Sequence, residues 1–399
     1  MNQLIAITKN TYLQVVRQPV YGIIVIVTLG GLALAPAMTG WTLDDDNKML
    51  RDIGLSTLLM QGLFLACFAA SSVLDHEIED KTVLTITAKP VSRSVFILGK
   101  YLGVMGGLLT AQYLASIAFF MAMRHGVLQS AAEKSDITVL LLGPGVMLLA
   151  AAVAVLMNYV YERRFLPTLV FLAVPFMTLS TLILLVMDRD FGLQSYETTH
   201  DIAALPAEAV PADSLRGIVD FRPDEGNRRF EGHSGKLVRS FWKGPITEED
   251  RLYLLNLVDD VNWRKIVTYL AKDTRELETF EVLKASVLIL FAIALLTGIA
   301  VACSTRLGVV STFLINILVV ILGLASDQVF KPLADAGTIW ATIAYRLVPN
   351  LQCFWMVDAL MEERTIPLSY LASTGGYAFL YILATLLLAM SLFETREVG

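Results

Sequence analysis

Long apolar runs alternate with short polar connections along most of this chain, and one long polar stretch interrupts them. A helix needs about 20 residues to cross the hydrocarbon core of a bilayer, and eight runs have roughly that length. These predicted spans cover 21–41, 55–74, 98–122, 137–160, 165–187, 283–303, 308–326 and 371–391. Lipid cannot satisfy exposed backbone polar groups, and the alternation of a membrane β-barrel is absent. The pattern therefore predicts an all-α polytopic membrane protein with about eight transmembrane helices.

The composition agrees with a chain whose main surroundings are a lipid bilayer. Of its 399 residues 55% are hydrophobic and 17% are charged, whereas a soluble domain has about 25% charged residues. No stripe of basic and aromatic residues suited to nucleic acid occurs, so we expect no nucleic-acid partner. The three cysteines and four histidines are scattered without metal-ligand or haem-ligand spacing, so we expect no metal and no cofactor.

Short loops that carry Lys and Arg predict the orientation of the chain. With the N-terminus inside, both termini lie in the cytoplasm. The predicted cytoplasmic loops and helix ends then hold Lys9, Arg17, Lys81, Lys89, Arg93, Lys100, Arg163, Arg164, Arg306 and Arg396. The short outer loops hold only Lys48, Arg51, Arg124, Lys134, Lys331 and Arg346.

Three regions follow from this topology. Residues 1–187 form an N-terminal membrane region with about five spans, and residues 283–399 form a C-terminal one with about three. Residues 188–282 are polar and would lie outside the cytoplasm; this insertion is too long for a simple connection and is expected to fold. Within it, 247–281 is predicted to be helical, since Thr247 precedes three acidic residues and a leucine-rich run.

Two shorter patterns concern helix packing. The first 17 residues are amphipathic, so they predict a helix in the membrane interface, with a frayed terminus as the alternative. Gly99, Gly103 and Gly107 stand four apart and predict the close approach of another helix. This contact is either a dimer contact or an internal one, and we favour the internal contact. The sequence LGPGV at 142–146 is predicted to kink the fourth span.

The charged segment from His76 to Lys100 lies between the second and third spans and is predicted to be cytoplasmic. Residues 78–88 can form a short helix, which Pro90 would end. Ser92 or Ser94 can cap the helix that follows. The apolar positions of the short helix are Val83, Leu84 and Ile86. Such a helix could receive motion from a soluble partner, and an ordinary solvated loop is an equally good interpretation of the spacing alone.

This segment resembles the cytoplasmic hairpin of ABC-2 family permeases, the membrane subunits of ABC exporters. The family pattern is an acidic residue, a Gly-Thr or similar pair, a short apolar stretch, Pro-Val-Ser-Arg, and then Gly-Lys. The matching residues are Glu77, Glu79, Lys81-Thr82, Pro90-Val91-Ser92-Arg93 and Gly99-Lys100. The sequence departs from the pattern at Asp80-Lys81, where many members have glycine before the threonine.

A second stretch, 347–371, and the terminal FETREV also resemble this family. The insertion is not covered by the resemblance. Members commonly have six spans, so the pair at 165–187 and 283–303 is a departure.

The resemblance implies that the hairpin at 75–100 is a coupling element that docks in a groove of an ABC ATPase subunit. Glu79–Ala88 would be the docking helix. The implied coupling residues are Glu77, Glu79, Asp80, Lys81, Thr82, Val83, Leu84, Ile86, Pro90, Arg93 and Lys100. Pro90, Arg93 and Lys100 would orient the docking helix against the third span, and the N-terminal helix would lie beside the docking helix. Residues 328–370 would form short re-entrant helices on the outer side.

The resemblance also implies a location and partners. The location is the bacterial cytoplasmic (inner) membrane. The partners are an ATPase and a second permease chain in a homodimer or heterodimer. The insertion at 188–282, which the resemblance does not cover, could bind an extracytoplasmic protein.

The chain itself is not expected to be an enzyme. In EGHSGKL, Phe230 stands where a phosphate-binding loop needs its first glycine, and Leu237 follows the lysine where Ser or Thr is needed. The predicted spans contain no Asp or Glu, which argues against a proton-driven transporter. Their cations lie near span ends, where Lys100, Lys284 and Arg306 are predicted to snorkel to the interface.

Three functions remain open at this point. The first is the permease subunit of an ABC-2 type exporter, which moves substrate with ATP hydrolysed by another subunit. The second is an ABC-type mechanotransmitter or complex anchor that moves no substrate, and the third is a stand-alone secondary transporter. A lipid, a polysaccharide precursor, a peptide or a drug-like amphiphile would all suit the sequence as substrate.

Overall fold

The computed structural model describes residues 2–39, 46–79, 92–127, 135–187, 191–192, 263–361 and 365–394. Throughout that part of the chain the regular structure is helical and no β-strand occurs. The prediction of an all-α polytopic membrane protein is confirmed.

The helices are α1 Asn2–Val16, α2 Pro19–Thr39, α3 Asp46–Glu79, α4 Arg93–His125, α5 Ile137–Leu140, α6 Val146–Tyr161, α7 Phe165–Leu184, α8 Trp263–Ser304, α9 Val309–Leu324, α10 Ser326–Asp335, α11 Ile339–Leu347, α12 Val357–Met361 and α13 Leu368–Glu394. Seven helical segments of the described chain are long and apolar enough to cross a membrane. The pair α9 and α10, bent by 63°, makes an eighth if it is counted as one span. Each predicted span coincides with one of these segments.

The predicted irregularity of the fourth span takes the form of a π-helical turn, Leu141–Gly145, between α5 and α6. Pro144 lies inside this turn and has no N–H to donate to the helix. The carbonyl of Leu142 accepts a hydrogen bond from the Ser180 hydroxyl of α7. A neighbouring helix thus satisfies a backbone group in the disturbed turn, as the low polarity of lipid requires.

The chain divides into two compact units, one of Met1–Phe191 with Lys284–Gly399 and the other of Gly192–Leu283. In the second unit the structure describes Gly192 and the backbone of α8 from Trp263 onward. The helix predicted over 247–281 is therefore confirmed from residue 263, while 247–262 lies outside the described residues.

Helix α1 packs lengthwise on the glycine stripe of α4. The glycines of α4 that face it are Gly99, Gly103, Gly106 and Gly107. A β-carbon at Gly103 would touch Thr11 and would lie 2.8 Å from the carbonyl oxygen of Thr8. Small residues let two helices approach this closely. The N-terminal helix therefore exists, the contact is internal as favoured, and the frayed terminus is ruled out.

We expect Gly103→Val to weaken the α1–α4 contact, because the new side chain meets backbone that cannot move without displacing α1. Overpacking of this kind costs about 1–3 kcal/mol. Thermal unfolding of the detergent-purified protein measures the loss. Gly30→Val is the matched control, since no atom lies within 4 Å of a β-carbon there. Equal unfolding temperatures for the two variants would contradict the role of the stripe.

Candidate functional site

The predicted coupling residues begin at the end of α3. This helix continues past the predicted end of the second span and ends at Glu79, so Glu77 and Glu79 lie on its last turns. The start of the predicted 78–88 helix therefore belongs to α3. The predicted residues Asp80, Lys81, Thr82, Val83, Leu84, Ile86 and Pro90 lie outside the described residues.

The chain is described again at Ser92, the N-cap of α4. The backbone of Ser92 is extended, with φ −66° and ψ 139°, and its hydroxyl accepts a hydrogen bond from the Val95 amide at 3.4 Å. A serine in this position satisfies one of the N–H groups that the first turn of a helix leaves unpaired. The cap was predicted at Ser92 or Ser94, and it is Ser92.

The first turn of α4 is fixed to the end of α13, the last described helix. Arg93 Nη1 donates to the carbonyl oxygen of Glu394 at 2.7 Å, and the rings of Phe96 and Phe393 stack with centroids 5.5 Å apart. Arg306, which follows α8, donates from Nε to the carbonyl of Leu392 at 3.1 Å. Two guanidinium groups thus satisfy the last carbonyls of α13, where the helix dipole also favours positive charge.

Lys100 is not placed as predicted. Its side chain is 1% exposed, and its ammonium lies 5.4 Å from the centroid of the Phe96 ring, in cation–π geometry. Lys284 is also buried, at 7% exposure, and its ammonium donates to the carbonyl of Ile366 at 2.6 Å. The snorkelling prediction is wrong for both lysines, because a carbonyl or an aromatic face inside the bundle meets the charge instead of water. Arg306 is exposed, and its snorkelling stays a prediction.

The start of α4 therefore contacts three other parts of the chain. Helix α1 covers its glycines, α13 holds Arg93 and Phe96, and Tyr101 donates its hydroxyl to the carbonyl of Ala294 in α8 at 3.2 Å. The segment that leaves the hairpin is thus joined to both the first and the last helix described. A displacement applied to this start would reach both of them.

A second cluster, not found from the sequence, joins the other end of α4 to α5 and α7. Arg124 Nε pairs with Asp136 at 3.3 Å, and its other nitrogens donate to the carbonyls of Leu184 and, at 2.7 Å, Met187. The Asp136 side chain is 0% exposed and also accepts from the Val139 amide at 3.0 Å, which caps α5. The one available signal was Asp136 before an apolar helix start, since aspartate is a favoured N-cap.

A third cluster lies at the bend between α9 and α10. Asp327 accepts hydrogen bonds from the Tyr345 hydroxyl at 3.0 Å and from Asn350 Nδ2 at 2.9 Å. The backbone N–H of Asn350 donates to the Tyr377 hydroxyl of α13 at 2.8 Å. The hydrogen bond to Asp327 raises the pKa of the Tyr345 hydroxyl above its ordinary value. Short helices were predicted at 328–370, and this carboxylate links two of them, α10 and α11, to α13.

No group of three or more His, Cys, Asp or Glu side chains able to hold a metal ion occurs in the part of the chain that the structure describes. Comparison with family models, curated proteins and solved structures finds no match to this chain. The functional argument therefore depends on the residues themselves.

We expect Arg124→Met to destabilise the protein, because it leaves the buried carboxylate of Asp136 without its cation. Removing one partner of a buried ion pair costs about 3–5 kcal/mol, and the partial exposure of Arg124 reduces this figure. Arg163→Met is the control, since Arg163 is exposed. Thermal unfolding in detergent compares the two.

The double variant Arg124→Met/Asp136→Asn tests the cause of that loss. Asparagine keeps an oxygen for the Val139 amide and removes the unpaired charge. We expect the double variant to unfold at a higher temperature than Arg124→Met alone. A double variant that is less stable by the sum of the two single effects would show that the two side chains act independently.

Proposed function

We propose that this chain is the membrane permease subunit of an ABC-2 type exporter, which moves substrate with ATP hydrolysed by a separate ATPase subunit. The observation that carries the proposal is the start of α4. It follows directly after the Pro90-Val91-Ser92 sequence of the predicted coupling hairpin, it packs against the first helix, and it is hydrogen-bonded to the last helix described. A coupling element is useful only if its motion reaches the spans, and these contacts supply that route.

In the proposed mechanism, closure of the ATPase pair on ATP displaces the hairpin. The Ser92-capped start of α4 moves with it as a rigid helix. Because of the close glycine contact, α1 moves together with α4. The hydrogen bond of Arg93 pulls the end of α13 in the same direction. The spans then shift between a state open inward and a state open outward.

The two arginine clusters support the orientation that this mechanism needs. Arg93, Arg306 and the end of α13 meet at one end of the bundle, and Arg124 lies at the opposite end of α4 from Arg93. By the positive-inside rule, this arrangement supports the proposal that the Arg93 end, and with it the hairpin, faces the cytoplasm.

A second candidate function is an ABC-type mechanotransmitter that moves no substrate. One observation favours it: Arg124 fixes the carbonyl of Met187, a few residues before Gly192, where the second compact unit begins. A connection held at its base could pass motion from the spans to an outer partner. Deletion of 195–275 separates the two functions. Loss of an outer partner with intact ATP turnover favours the mechanotransmitter, and loss of transport without any outer partner favours the exporter.

The first experiment is isolation of the tagged chain from its native membrane in a mild detergent, with mass spectrometry of the proteins that accompany it. We expect an ABC ATPase in near-stoichiometric amount. A chain that emerges alone, under conditions that preserve a known ABC complex, contradicts the proposal.

The variant Leu84→Asp locates the contact. A charge on the apolar side of the docking helix should abolish association with the ATPase, since burying an unpaired carboxylate in a protein groove is costly. Membrane insertion should be unchanged. Thr85→Asp places the same charge at a polar position and should keep association. Equal ATPase recovery with the two variants would show that this side of the segment does not dock.

A further inference from the structure

Two glutamine side chains are buried inside the membrane-spanning part of the molecule. Gln61 of α3 is 3% exposed and Gln112 of α4 is 6% exposed. Neither the amide nitrogen nor the oxygen of Gln61 has a hydrogen-bond partner among the described residues, and the same holds for the amide nitrogen of Gln112. Burial of an unpaired amide costs free energy, and such groups in a native protein call for an explanation.

The helix register places the two glutamines at the same level. Helices α3 and α4 pack against each other and run in opposite directions, and a β-carbon at Gly54 of α3 would touch the ring of Phe119 in α4. Seven residues make about two helical turns, so positions one heptad apart share a face. One heptad after Gly54 is Gln61, and one heptad before Phe119 is Gln112. The two glutamines therefore lie at about the same level, on the faces through which α3 and α4 pack.

The surroundings of the pair determine what it can bind. Within one turn of either glutamine, 57–65 and 108–116 contain no charged residue. Buried neighbours within about one turn of them on the two helices are Leu58, Leu65, Leu108 and Ala115. A charged ligand group would lose its water here and find no counter-charge, which is unfavourable. An uncharged hydroxyl or amide can both donate to and accept from the two side chains.

A purely structural role explains the pair less well. Amides that hold two membrane helices together do so by hydrogen bonds across the contact. Three of the four polar groups of this pair have no such bond in the described structure. Another molecule that reaches this level between α3 and α4 can supply the missing hydrogen bonds.

We propose that Gln61 and Gln112 form a substrate-binding site on the translocation path, the glutamine site, where uncharged hydroxyl or amide groups of the substrate bind between α3 and α4. The inference rests on the proposed export function and adds the chemical class of the substrate. The start of α4, which the coupling hairpin would move, belongs to the same helix that carries Gln112.

Cysteine accessibility tests the proposal in the full complex. In a background without Cys67, Cys303 and Cys353, Gln61→Cys and Gln112→Cys are treated in membranes with N-ethylmaleimide, which is uncharged, and with a cationic methanethiosulfonate. A thiol reacts as the thiolate, so modification reports entry of water and reagent. We expect N-ethylmaleimide to modify both positions during ATP turnover, at a rate about tenfold higher than at the control positions.

The controls are Leu63→Cys and Leu114→Cys, which lie at the same depths, are equally buried, and point about 200° away on the same helices. Modification at the two glutamine positions and not at the two control positions supports the glutamine site. Modification of the control positions at the same rate, or of none of the four in any nucleotide state, overturns it. Preference for the cationic reagent, judged against each reagent's rate with a free thiol, overturns the proposed substrate class. If the glutamine positions are modified at a rate that does not depend on ATP, and no ATPase is present in the complex, the glutamine site is supported and the proposed exporter function is contradicted.

A second measurement does not depend on the cysteine variants. The double variant Gln61→Leu/Gln112→Leu should unfold in detergent at the same temperature as the unaltered protein or higher, because it removes unpaired polar groups and keeps the volume. A clear fall in the unfolding temperature would mean that the amides hold the helices together, and would overturn the proposal.

Discussion

The close contact between α1 and the glycine stripe of α4 is the constraint on which the rest of the bundle depends. It exists because four positions of α4 carry no side chain, so the two backbones come within contact distance along several turns. Tyr21, at the start of α2, extends this contact by donating its hydroxyl to the carbonyl of Gly107 at 2.8 Å. These contacts fix the position of the first span, α2, relative to the third span, α4, without a contribution from the other helices.

Around this contact, the polar groups of the bundle are mostly satisfied by partners from distant parts of the chain. Arg93 and Arg306 satisfy the end of α13, Lys284 bonds to Ile366, and Ser180 bonds to Leu142. Lys284 and Ser180 are buried and have no water to return to, so their bonds also fix which helices are neighbours. The unpaired amides of the α3–α4 contact are among several buried polar groups without a partner in the described residues, and they differ from the hydroxyls of Thr8 and Thr11 in lying at one level on two spans.

The sequence predicts the helices well, because hydrophobic length alone determines them in a bilayer. It also predicts the Ser92 cap and the internal glycine contact, since both depend on neighbouring residues or on a regular spacing. It fails for Lys100: the Phe96 ring is one helical turn away in the sequence, but the burial of the lysine depends on helices that pack around α4 only after folding. The Arg124–Asp136 pair was missed for a related reason: its carbonyl partners lie about 60 residues away, and no local pattern marks them.

The hydrogen bond from Arg93 to Glu394 has a consequence for biosynthesis. The donor is near the beginning of the chain and the acceptor is in the last helical turn described, so the ribosome makes the acceptor long after α4 has entered the membrane. The contacts of α1 with α4 can form earlier, whereas this bond at the start of α4 has to wait for α13. A nascent or truncated chain would therefore lack this bond at the start of α4. The bond would thus be among the last to form as the described helices assemble.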